Sequence, residues 1–215
     1  MRKRDLREDR LREEYFDLLP EIRKVVQELE VRIHYYTLPI LQGLQRHEKL
    51  VIRSRVKEFE SALSKLSRKN KDKGESRVLD PQKEYSILGL RDLAGVRVLA
   101  FPDRRIAEVD DVLRSEFDTW ESDPIPYEGG AKRAPKYHGY CENISQRVKG
   151  EYQVVPMLIG LFWDVEHSAM YKSDIVANSR NMKRRRAVVE RSLAQFEEGI
   201  ASLLPDPSQP ASHPS

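Results

Sequence analysis

A single cysteine, Cys141, occurs in 215 residues. That excludes an internal disulfide and every zinc site built from several cysteines, and it suits a reducing compartment. No apolar run approaches the roughly 18 residues that a membrane helix needs. The opening MRKRDLREDR also lacks the apolar centre of a signal peptide. The expectation is a cytoplasmic protein with no membrane role. A strong charge of one sign is missing too: 38 basic residues face 35 acidic ones, for a net +3, so any contact with a polyanion has to be local. There is no internal repeat. What the chain does have is 39% hydrophobic residues, with six Phe, nine Tyr and two Trp. That is enough apolar surface for a packed core and argues against disorder. The length suits one domain, alone or with helical extensions.

Apolar residues from Leu18 through Ile22, Val25, Val26, Leu29, Ile33 and Tyr36 recur at helical spacing, in a helix that starts ahead of Pro20. Pro20 could kink or restart it. A short apolar piece, Leu50-Val51-Ile52, leads into RVKEFESALSKLSRK, where Phe59, Leu63 and Leu66 predict a second helix with a basic far face. A polar loop follows from Asn70 to Ser76. Val96, Val98 and Ala100 then mark a mostly buried strand, and Ile106, Val109, Val112, Leu113 and Phe117 a helix after it. Tyr127 to Pro135 reads as an exposed loop. Strands are expected near Gly139 to Val148 and Glu151 to Val155, joined by a tight Lys149-Gly150 turn. Helices follow over Met157 to Lys172 and from about Val176 to Leu204, the latter with an apolar stripe Val189, Leu193, Phe196, Ile200 and Leu203. The tail PDPSQPASHPS is expected to be disordered. The pattern predicts an α/β (α+β) architecture, a mixed central sheet flanked by helices, with long helices at both ends.

Four segments carry chemistry. Arg55 and Lys57, followed by Ser61 and Lys65 one turn apart, form an incipient polyphosphate cradle, though such a cluster alone also suits a solvated basic helix. Asp92, in RDLAGVR, places a carboxylate at the end of an apolar strand, where it could hold Mg²⁺ against phosphate or merely cap a turn. Lys136-Tyr137-His138-Gly139-Tyr140 sets an aromatic beside a glycine, which permits base stacking, or is a plain strand with an exposed tyrosine. Glu151 and Gln153 share one face of a strand, and Glu166-His167 follows on the next helix with Trp163. Phosphoryl transfer needs this inventory of cations, acids and a base.

In order and spacing the four segments resemble the synthetase domain of the RelA/SpoT family. RVKEFESALSKL is similar to its R-x-K-x-x-x-S-x-x-x-K element, RDLAGVRVL to its D-L-x-x-x-R strand, and KYHGY to its K-x-N-G-Y loop. EYQVVP is similar to E-x-Q-[IV]-R-T, and the stretch from Trp163 to Glu166-His167 to W-A-E-x-E-H. The resemblance covers about residues 50 to 172. It implies a nucleotidyltransferase-like synthetase fold that moves the β,γ-pyrophosphate of ATP to the 3′-hydroxyl of GDP or GTP, or in toxin-type members to acceptors such as the tRNA 3′ end. Arg55, Lys57, Ser61, Lys65 and Arg97 would bind the ATP phosphates, and Asp92 and Glu151 would hold Mg²⁺, with Glu151 also activating the acceptor hydroxyl. Lys136, His138, Tyr140, Gln153 and His167 would line the acceptor side.

Two departures fall on that acceptor side. Ile144 replaces the family's usual histidine, and Val155-Pro156 stands where Arg-Thr is usual. A degenerate nucleotide-binding domain without catalysis is therefore the competing expectation. An RNA-directed toxin guided by Lys183-Arg184-Arg185-Arg186 is a third. No His-Asp dipeptide occurs, so the hydrolase domain of long family members is not expected. The expected organisation is a helical extension over 1–48, a synthetase domain over 49–173, a helix over 174–204 and a tail over 205–215. Helices at both ends could pair subunits in a homo-oligomer.

Overall fold

The computed structural model describes residues 6–72, 85–170 and 180–203. The expected loop from residue 73 onward, the Tyr171-Lys172 helix end and the tail at 205–215 lie outside the described residues. The first helix, α1 (Leu6–Gln42), runs through both Pro20 and Pro39. Its buried stripe is Leu11, Tyr15, Leu18, Ile22, Val25, Leu29, Ile33 and Ile40, spaced by threes, fours and a seven, so a single face of the helix is apolar. Those residues belong to the same core cluster as the apolar residues of the sheet, so residues 6–42 pack as one wall of the sheet's core.

Five strands make the main sheet, in the order β1 (Lys49–Val56), β2 (Ala94–Phe101), β7 (Lys149–Pro156), β6 (Lys136–Tyr140) and β3 (Glu121–Ser122). Only β2 and β7 run parallel; every other neighbouring pair is antiparallel. Along β2 and β7, Val96, Val98, Tyr152 and Val154 turn to the α1 side, where α3 (Arg105–Glu116) also packs. Alternate residues turn to the opposite face.

The short apolar piece at Leu50 extends into a full edge strand, ending at Val56. Only then does α2 (Phe59–Asp72) begin, and it reaches three residues into the expected loop at Asn70. The stretch Tyr127 to Pro135 is not an exposed loop. It forms a hairpin of β4 (Ile125–Tyr127) and β5 (Lys132–Ala134), with Tyr127 and Ala134 buried. Glu128, Gly129 and Gly130 all take positive φ in its connection, and the Gly-Gly pair does so without a side-chain penalty, so it suits a tight reversal as well as a loop.

Lys149-Gly150 is not a turn either. Both residues lie inside β7, and residues 141–148 form the connection from β6. Gly150 stands opposite Gly139, and Trp120 lies against both. A Cβ on Gly139 would come within 2.5 Å of the Trp120 ring, and one on Gly150 within 2.5 Å of Leu29. Gly150 is there for close packing. After Pro156 the chain enters α4 (Met157–Met170), which covers the far end of the open face over a second cluster of Leu99, Val155, Ile159 and Trp163. Helix α5 (Arg180–Leu203) packs on α4 and the hairpin. Its expected stripe points inward only in part: Leu193 packs against the second cluster and Ile200 is half-buried, but Phe196 and Leu203 are 59% and 84% exposed, and Glu190, Ala194 and Glu197 take the buried positions. No helix is long and apolar enough to cross a membrane among the described residues.

Candidate functional site

Strand alternation sends Arg53 and Arg55 of β1 to the same face as Gly95 and Arg97 of β2. Register then aligns side chains from separate strands into two rows. One row reads Arg55, Gly95, Glu151, His138, Glu121 across all five strands. The other reads Arg53, Arg97, Gln153, Lys136. Gly95 has no side chain, and Arg55 lies across it, its Cγ 3.6 Å from where a Cβ would stand. The result is a cleft of about 210 Å³ lined by Arg53, Arg55, Arg97, Glu151, Gln153 and Asp164. It lies over the sheet face toward the amino ends of β2 and β7, because the residues at the other end of that face are buried under α4.

A hydrogen-bonded chain crosses the cleft floor. Arg97 donates through Nη1 to Asp164 of α4 at 2.6 Å and through Nε to Gln153 at 3.0 Å. Gln153 in turn donates to Glu151 Oε1 at 2.7 Å. Burial lowers the pKa of Arg97, and the charge of Asp164 opposes that effect. Trp163 presents its ring to both Arg97 and Arg186. Gln153 is thereby tied to the carboxylate and arginine beside it.

The second expected acid, Asp92, is buried just ahead of β2. Its Oδ2 meets Lys57 at 2.9 Å and Lys65 at 2.7 Å, while Oδ1 is buried with no hydrogen-bond partner. Burial raises Asp92, but the two ammonium groups outweigh it and hold the carboxyl below its usual range. Lys57, more deeply buried, is pulled downward mainly by desolvation. Ser61 stands one helical turn before Lys65 on α2. His167 of α4 is held below its usual pKa by burial and by the positive charges of Arg55, Lys57, Arg68 and Arg97.

The remaining expected residues spread along β6. Lys136 pairs with Asp123. The buried His138 accepts from Arg91 at its Nε2, with Glu121, bound to the same guanidinium, 3.0 Å away. Tyr140, 42% exposed, lines a second hollow of about 280 Å³ with Cys141, Ile144 and Trp120. That hollow shares no lining residue with the Glu151 cleft. Val155, at one of the positions that depart from the family pattern, is buried among Leu99, Ile159 and Trp163, where a cation would have no solvent.

Sequence reading missed Arg53 and Asp164. Arg53 sits two residues before Arg55, and once β1 is recognised as a strand that spacing puts them on one face. Asp164 has no local signal, since its partners are 67 and 111 positions away. No group of three or more His, Cys, Asp or Glu side chains suited to a metal occurs among the described residues. Mg²⁺ takes as few as one or two carboxylates from a protein when phosphate oxygens supply other ligands; Glu151 lines the cleft, and Asp92 is not among its lining residues.

Solved structures share this fold. The chain matches a small alarmone synthetase from Bacillus subtilis, bound to its product pppGpp, with a TM-score of 0.66 at 20% identity, covering 89% of this chain and 96% of that one. The fold is that of the small alarmone synthetases. A second such synthetase from Bacillus subtilis gives a TM-score of 0.60 at 21% identity, covering 88% and 99%. A GTP pyrophosphokinase family protein from Streptococcus pneumoniae gives 0.60 at 21%, covering 88% and 92%. No protein-family model matches the sequence, and no curated protein does.

Proposed function

We propose that the chain is a pyrophosphotransferase that moves the β,γ-pyrophosphate of ATP to the 3′-hydroxyl of GDP, GTP or a related acceptor. The observation that carries this reading is the pair of rows on the open sheet face, in which Glu151 stands among Arg53, Arg55 and Arg97 on rigid strands. Arginines bind phosphate oxygens with paired donors, and a fixed carboxylate beside them can take a proton from an attacking hydroxyl. Structures of this fold with pppGpp and with AMPCPP lend support, as statements about those proteins.

In this reading Arg55, Lys57, Ser61, Lys65 and Arg97 steady the donor phosphates. Asp92 and Glu151 would hold Mg²⁺, and the orphaned Oδ1 of Asp92 fits a cation there. When bound, that ion would neutralise charge building on the phosphate oxygens. Lys57 and Lys65 both sit on the other oxygen, Oδ2, where they offset the charge of Asp92 and offer their remaining N–H donors to phosphate. Glu151 accepts the proton of the acceptor hydroxyl, oriented by Gln153. On the acceptor side the exposed Tyr140 ring offers a stacking surface, with Lys136, His138 and His167 as the further polar groups.

The burial of Val155 favours a second reading, a nucleotide-binding domain without turnover, because a side chain packed in that core cannot contact an acceptor phosphate. For a tRNA acceptor, Lys183, Arg184 and Arg185 stay exposed while Arg186 turns to Glu166 and Glu190. The exposed Val189, Phe196 and Leu203, seven residues apart on α5, support pairing of subunits through that helix. The deciding experiment is mass spectrometry of products from ATP, Mg²⁺ and each of GDP, GTP, ADP and bulk tRNA. A 3′-pyrophosphorylated product is expected; ATP binding without any product would leave only the second reading.

A further inference from the structure

Asp164 is an acid in a cleft whose other charged walls are mostly cationic. It reaches down from α4 and takes Arg97 at 2.6 Å and Arg53 at 3.1 Å, one carboxylate oxygen to each. Those guanidinium groups belong to the same row as Gln153, beside the row that holds Glu151, and line the cleft, so their outward donors are the ones an incoming anion would meet. The cleft as it stands, about 210 Å³, is smaller than the roughly 300 to 1,000 Å³ of ordinary small-molecule sites. The cleft is open to solvent at this point, with the Asp164 side chain 44% exposed and that of Arg53 50%. Arg97, by contrast, is mostly buried and fixed from below by Gln153.

We propose that Asp164 is a built-in competitor for the polyphosphate, its carboxylate occupying the donors of Arg97 and Arg53 that the ligand's phosphate oxygens take on binding. Binding is then an exchange of one anion for another on the same two guanidinium groups. The carboxylate sets the affinity and selects ligands with enough negative charge to displace it. A triphosphate, with several oxygens to offer two arginines, displaces a single carboxylate; a monophosphate gains little over it. Asp164 is thus a specificity-determining residue that acts through Arg97, and it lies outside the groups that touch the transferred phosphoryl. The inference rests on the reading of this cleft as a polyphosphate site, but it does not depend on turnover.

Calorimetric titration of the full chain with inorganic triphosphate and, separately, with inorganic phosphate tests it, using wild type, D164A, D164N and D164E. D164A and D164N are expected to bind triphosphate about fivefold more tightly, the size of two partly exposed ion pairs released. Both are also expected to narrow the preference for triphosphate over phosphate. D164E restores the carboxylate and should return the wild-type affinity, which a mere packing role at this position would not reproduce. Unchanged or weaker triphosphate binding by D164A and D164N would overturn the proposal and make Asp164 a support for Arg97. Wild type that binds triphosphate yet forms no pyrophosphorylated product removes the transferase reading and leaves this one standing. No triphosphate binding by any of the four would overturn both.

Discussion

Glu151 is held in a strand bonded on both sides, between Gly95 and His138, with Gln153 donating to one of its oxygens. Such a carboxylate has little freedom to relax, so its chemistry can be separated from its packing. Glu151→Gln keeps the shape and removes the base. Product formation should fall by about a thousandfold. Thermal unfolding should change by less than about 0.5 kcal/mol, as the side chain lines an open cleft and packs into no apolar core. Turnover close to wild type in that variant would take Glu151 out of the mechanism. At this scale the spaced motifs singled out Glu151, Arg55 and Arg97, which do line one cleft, and Asp92, which is not among its lining residues. The sequence could not show that Gln153 bridges Arg97 to Glu151, or that Asp164 meets Arg97 at all, since both depend on how distant side chains meet.

Helix α5 is organised around acids where an apolar stripe was expected. Glu190, buried, accepts from the Glu128 amide at 2.7 Å, from Trp163 Nε1 at 2.9 Å and from Arg186 at 2.8 Å. One carboxylate therefore ties the hairpin, α4 and α5 together. Glu190→Ala leaves a buried amide and an indole N–H without acceptors, and should cost about 3 kcal/mol in chemical denaturation. Glu190→Gln, which keeps an acceptor oxygen, should cost less; equal stability of all three proteins would remove this role. Periodicity exposed β2, α3 and the long helices because their apolar faces are regular. The edge strand β1 was hidden by its alternating Arg53, Ser54 and Arg55, which read as a helix lead-in, and the hairpin by Gly129-Gly130. Gly150 misled for a related reason: a small residue marks close packing as readily as a turn.

Two buried acids give the whole molecule opposite responses to pH. Burial alone would raise Glu48, but hydrogen bonds from Arg105, the Gln45 amide and Arg104 bring it down to about 2. It therefore stabilises the fold above pH 4.5 and loses that contribution as pH falls toward 2. Glu197, 1% exposed, is pushed up to about 7 by burial and by Asp103, with the Leu158 amide and Lys132 opposing. Below pH 4.5 both folded and unfolded chains hold its proton. Between 4.5 and 7 only the folded chain does, so stability declines as pH rises and levels off above 7. Glu197→Gln should abolish that decline and raise stability at pH 8 by about 2 kcal/mol in urea unfolding. Parallel curves for the two proteins would show Glu197 ionised throughout. For assembly, Phe196→Glu should convert a wild-type oligomer to single chains by light scattering. A wild type that is already a single chain at the same concentration would dismiss pairing through α5.

The two rows on the open face also bear on how such a site can change over time. Steps across the strands are fixed at about 4.8 Å and steps along them between same-face residues at about 6.7 Å. The floor is in effect a grid with one exchangeable group per node. Its dimensions are locked by the apolar side chains that the same strands send to α1 and α3. A shift in the molecule it accepts would therefore come from swapping what stands on a node, or what hangs over it from α4, while the grid stays as it is.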